Sequence, residues 1–117
     1  MSTKELLDYC LAKDGAYLDY PFTDDYPVVK VKSAGTDKSR IFAEFYTLDG
    51  KEIFTFSTDA DTALTLRMEF PDGIARGWHC PPIQAKYKST AYIDNVPEEL
   101  LLKLADMSYG RAIEKLK

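Results

Sequence analysis

The 117 residues carry a formal net charge of −4, from 15 basic and 19 acidic side chains, and are 45% hydrophobic and 13% aromatic. That is enough apolar material for one core and too much for a disordered chain, so a single domain over residues 1–117 is expected. No apolar run approaches the roughly 18 residues of a membrane span, and the opening Met1-Ser2-Thr3-Lys4-Glu5 lacks a signal-peptide core, which together predict a cytoplasmic protein with no membrane partner.

Ser2 and Glu5 have the spacing of a capping box, in which each side chain satisfies the other's backbone amide. Leu6, Leu7, Cys10 and Leu11 then recur at helical spacing, with Gly15 placed to close the helix. The aromatic and acidic stretch from Tyr17 to Pro27 reads as an ordered loop. Strands are expected from Val28, over Ile41–Tyr46 and over Glu52–Ser57; Asp49-Gly50 signals a tight hairpin between the last two. Phe54 and Phe56 alternate onto one face of the third strand. Asp59 suits the N-cap of a helix ended by Pro71-Asp72-Gly73. Ile74–His79 and Ser89–Ile93 give two more strands on either side of Pro81-Pro82. Pro97 suits the first position of a last helix, with Leu101, Leu104, Ala105, Ser108 and Ala112 along one face. The order α-β(3)-α-β(2)-α predicts an α+β fold in two layers, an antiparallel sheet with helices on one face.

The chemistry-bearing residues are few. Cys10 and Cys80 are too few for a disulfide framework or a structural zinc site, and read as reduced thiols. A Cys–His nucleophilic pair requires Cys10 beside the single histidine, His79. The carboxylates of Asp14, Asp19, Asp24 and Asp25 match no calcium-loop spacing. Phosphate-cradling glycine loops and nucleophile elbows are absent from the sequence. The sequence therefore predicts no catalytic residues, no metal and no cofactor: not an enzyme.

Charge is unevenly spread. Residues 1–26 carry −4 and residues 59–72 carry −3, whereas residues 73–93 carry +3 with no acid among them. That basic stretch holds Arg76, Trp78, His79, Lys86, Tyr87 and Lys88, and Lys38 and Arg40 cluster near an earlier turn. Lysine and arginine neutralise phosphates and flat rings stack on bases or sugars, so these eight are the candidate nucleic-acid-binding residues. Core anchoring is the competing role for the large rings.

The runs Glu5-Leu6-Leu7-Asp8-Tyr9-Cys10, Gly15-Ala16 and Asp19-Tyr20-Pro21-Phe22 resemble the opening of the MmcQ/YjbR-like proteins. Gly77-Trp78-His79, Thr90-Ala91-Tyr92-Ile93-Asp94 and the closing helix from Pro97 to Leu101 with Ser108-Tyr109 extend the resemblance over nearly the whole chain. It implies a two-layer α+β fold of the same element order and a "double wing" DNA-binding assignment. The chain has Ala85-Lys86-Tyr87-Lys88 where the family typically carries a His-Trp pair. The expectation is a monomeric module that contacts DNA weakly through a basic aromatic loop. The alternatives are a protein-interaction module, suggested by net charge −4 and the Tyr17–Tyr26 aromatics, and a small-molecule-binding domain.

Overall fold

The capping box forms as the sequence dictates: Ser2 Oγ accepts from the Glu5 amide and Glu5 Oε1 accepts from the Ser2 amide, opening helix α1 (Thr3–Leu11). The computed structural model describes all 117 residues. Strands β1 (Ala16–Asp19), β2 (Val28–Lys32), β3 (Ser39–Leu48) and β4 (Lys51–Ser57) follow, then α2 (Ala60–Glu69), β5 (Ile74–Arg76), β6 (Lys88–Tyr92) and α3 (Glu98–Leu116). Short 3-10 turns occupy Pro82–Gln84 and Ile93–Asn95. The six strands form one antiparallel sheet in the order β1-β2-β3-β4-β6-β5.

The expected α+β architecture is present, with one strand more than the sequence suggested. β1 lies at the start of the stretch read as loop, and pairs with β2 from Ala16↔Val31 to Asp19↔Val28. The Asp-Gly hairpin joins β3 and β4, with Asp49 at φ 51° and Gly50 at φ 79°, the positive pair that a two-residue turn requires. β5 stops at Arg76, earlier than expected; the chain still runs beside β6 at Gly77, whose amide donates to the Lys88 carbonyl at 3.0 Å, and turns away at His79 with φ 55°. A Cβ at Gly77 would lie 2.9 Å from Lys88 Cβ and 3.2 Å from Cys80 Sγ. Pro97 is the N-cap of α3 rather than its first helical residue.

The core lies between the helices and one sheet face. Leu6 and Cys10 of α1, Leu101, Leu104 and Ala105 of α3, and Leu66 of α2 close over Val29, Val31, Phe45, Phe54 and Phe56. Phe54 stacks between Phe45 and Phe56 at centroid distances of 5.4 and 5.2 Å. The α3 face read from the sequence is the one that is buried, including its one polar member. Ser108 is 1% exposed; its hydroxyl accepts from the Ser57 amide at 2.9 Å and donates to the Phe42 carbonyl at 2.6 Å, tying α3 to β3 and β4.

Replacing Ser108 by alanine leaves a buried amide and carbonyl without their partner, and should cost about 1–3 kcal/mol in urea denaturation at unchanged m. A loss within about 0.5 kcal/mol, the size of an ordinary surface substitution, would mean that the tie contributes nothing.

Candidate functional site

Side chains alternate along a strand, so the phenylalanines that face the helices leave the residues between them on the other, helix-free face. Val28, Glu44, Thr55, Thr90 and Ala75 lie in one register row across five strands. Thr55 and Thr90 share a 2.7 Å hydroxyl bond, and Thr90 Oγ1 accepts from the Trp78 amide at 2.8 Å. Glu44 is only 8% exposed. Its two oxygens accept from Tyr26 Oη and from Lys88 Nζ, each at 2.9 Å. Burial, followed by the Glu44 carboxylate, raises the Tyr26 phenol above its ordinary range.

Rings cover one half of this face. Trp78 stacks on Tyr46 at 4.6 Å and on Tyr26 at 5.9 Å. Phe22 meets Tyr26 edge-on at 5.2 Å and His79 meets Trp78 edge-on at 4.2 Å. Trp78 is half-buried in this stack, and His79 is exposed at φ 55° where the chain turns away.

Where β3 begins, β4 ends and β6 begins, a cleft of about 650 Å³ opens between the sheet end, the C-terminal turns of α3 and the 82–87 turn. Five cations line it (Lys30, Arg40, Lys88, Arg111 and Lys115), and no carboxylate does. Two of the five are already neutralised: Lys30 by Asp19 at 2.7 Å and Lys88 by Glu44 at 2.9 Å. Hydrogen bonding to Asp19 is the main cause that raises the Lys30 ammonium above its ordinary value. Arg40, Arg111 and Lys115 form no ion pair within 4 Å. Arg111 lies over the Tyr87 ring at 4.6 Å, which fixes the guanidinium against the cleft wall. Its charge also reaches Asp59, whose carboxyl is lowered chiefly by hydrogen bonds from Thr62.

The wall itself is held from behind. Arg67 of α2 donates to Ser89 Oγ at 3.1 Å, to the Ala85 carbonyl at 2.6 Å and to the Lys88 carbonyl. Partial burial lowers the Arg67 guanidinium from its ordinary value.

The eight sequence candidates thus divide. Arg40, Tyr87 and Lys88 meet in the cleft; Lys86 is exposed beside it, with Nζ 5.1 Å from the Tyr87 ring. Trp78 and His79 belong to the aromatic cover. Arg76 is exposed on edge strand β5 and Lys38 in the 33–38 turn, both outside the cleft lining. The sequence reading missed both Arg111 and Lys115 as site residues. Their i, i+4 spacing on the last turns of α3 is the signal that puts them on one side. The cleft supplies guanidinium and ammonium donors, and Ser39, Ser57 and Tyr87 hydroxyls beside them: a set of groups that grips oxyanions.

The YjbR family model matches residues 11–111. The uncharacterized protein YjbR of Escherichia coli K12 is 26% identical over 117 residues, covering 99% of this chain and 91% of that protein. The crystal structure of a Deinococcus radiodurans protein with a DUF419 domain superposes with a TM-score of 0.80 at 30% identity, over 92% of this chain and 75% of that one. A Pseudomonas syringae protein shares the fold, with a TM-score of 0.74 at 17% identity over 96% and 99% of the two chains. The chain belongs to the YjbR family.

The two thiols have separate fates. Cys10 is enclosed in the helix-side core, where burial pushes its thiol up to about 12, while Cys80 is half-exposed beside the aromatic cover. Cys10 therefore does not meet His79, and no cluster of three His, Cys, Asp or Glu side chains has metal-ligand geometry. At pH 8 a thiol-specific disulfide reagent should modify Cys80 in the native protein and reach Cys10 only in denaturant. Two fast native equivalents would contradict this placement.

Proposed function

We propose that this YjbR-family chain is a binding module, not an enzyme, that contacts the phosphate backbone of DNA through the cleft between α3, the sheet end and the 82–87 turn. The observation that carries the reading is the trio Arg40, Arg111 and Lys115, cations without ion-pair partners around a concavity that has no acid in its lining. Net charge −4 opposes indiscriminate attraction to nucleic acid, so attraction is confined to where the local field is positive. Lys88 has a different part from the one its position in the basic stretch suggests. It holds buried Glu44, and drawing it out to a phosphate would leave that carboxylate without its cation.

A second reading has its own observation. β1 is an edge strand with Tyr17 and Leu18 37% and 40% exposed, and Tyr20 and Phe22 continue the patch at 46% and 59%. An extended segment of a protein partner adds to such an edge by backbone pairing. Tyr17→Glu and Leu18→Lys variants, which place charge on the edge, would lose that partner and leave DNA binding unchanged.

Three unpaired cations predict a log–log salt slope of about −2.7 for a short duplex, and a dissociation constant of about 10⁻⁴–10⁻⁶ M typical of backbone contact. Fluorescence anisotropy over a series of salt concentrations up to the physiological range measures both. Replacing Arg111 and Lys115 by glutamine should flatten the slope to about −0.9. Absence of binding by the wild type at millimolar protein, or an unchanged slope in the double variant, would overturn the assignment.

A further inference from the structure

We infer that Ile83 is an apolar wedge that enters a base step of the bound duplex from the minor groove and kinks it, an inference that rests on the DNA reading above. Ile83 is 82% exposed, more than any other large apolar side chain of the molecule, and it lines the same cleft as Arg40, Lys88 and Arg111. An aliphatic tip bordered by cations is the combination with which minor-groove proteins grip phosphates while prying one base step apart.

The tip is also stiff, which a wedge has to be. Pro81 and Pro82 fix the entry to the 3-10 turn, with Pro82 at its first position. Inside it, the Gln84 amide donates to the Pro81 carbonyl at 2.9 Å, the Ala85 amide to Pro82 at 3.2 Å and the Tyr87 amide to Gln84 at 3.0 Å. Arg67 clamps the turn's far side through the Ala85 and Lys88 carbonyls. The backbone around Ile83 is therefore ordered before any ligand arrives, so little conformational freedom is lost on insertion. Pyrimidine–purine steps unstack most easily, so a wedge prefers a duplex with a central TA or CA step over an A-tract of equal length.

Resonance energy transfer between the labelled ends of a 20-base-pair duplex with a central TA step reads the bend, and anisotropy across salt concentrations reads phosphate contact on the same duplex. The wild type should shorten the end-to-end distance by the equivalent of a kink of about 20–90°. Ile83→Ala and Ile83→Gln should abolish the shortening and keep the salt slope; the side chain touches little of the fold, and circular dichroism checks that both variants are folded. Binding without bending, or bending that survives Ile83→Ala, overturns the wedge and leaves the phosphate reading intact. No binding at any salt overturns both. Ile83-dependent binding to anionic phospholipid vesicles with none to the duplex would assign the tip to a lipid surface and overturn the wedge.

Discussion

A carboxylate enclosed by protein has to be met by donors, because an unpartnered one costs more than a small domain can offset. Glu44 imposes that requirement at the centre of the helix-free face. Its two partners come from the closing ends of two separate excursions: Tyr26 lies at the end of the loop between β1 and β2, and Lys88 ends the excursion between β5 and β6. One buried group therefore anchors two loops far apart in the sequence, which also meet where Tyr26 stacks on Trp78. Once Tyr26 is fixed its ring becomes a floor for Trp78, and once Lys88 is fixed the strand β6 starts where the cleft needs its wall. The aromatic cover and the basic cleft are two consequences of the same constraint.

The distribution of charge follows from where the acids are placed. Overall the chain is acidic, yet every charged residue of the cleft lining is a cation. Asp19 and Glu44 reach in from outside that lining to hold Lys30 and Lys88, which makes those two lysines part of the framework. Arg40, Arg111 and Lys115 are left to face solvent or ligand. An ion pair holding a buried carboxylate and a cation open to a ligand differ by surroundings, and residue type does not distinguish them.

Helix α2 shows a similar division. It buries Ala63 and Leu66 and leaves Leu64 and Met68 59% and 71% exposed, so its packing alone gives it a modest place in the core. Its larger role runs through Arg67, which reaches Ser89 at the start of β6 and holds the turn bearing Ile83 and Tyr87 through the Ala85 carbonyl. The guanidinium suits that task because its planar fork donates to several carbonyls at once.

Local signals in the sequence determined what depends on neighbouring residues: the Ser2–Glu5 capping box, the Asp49-Gly50 turn, the Phe54/Phe56 alternation and the buried face of α3 that includes Ser108. Each rests on interactions within a few residues or on a period that one element sets by itself. β1 was illegible because it is four residues long and carries no alternating burial; it exists through its pairing with β2. β5 is shorter than its sequence suggests because the chain turns away at His79, whose left-handed backbone at φ 55° no local signal announces. The site followed the same rule. Arg40, Tyr87 and Lys88 were legible as a basic and aromatic composition, but the sequence did not separate Lys88, which serves Glu44, from Arg40, which has no ion partner. Tertiary structure alone brought Arg111 and Lys115 to them, because the end of α3 and the start of β3 become neighbours only when the helix layer packs across the sheet.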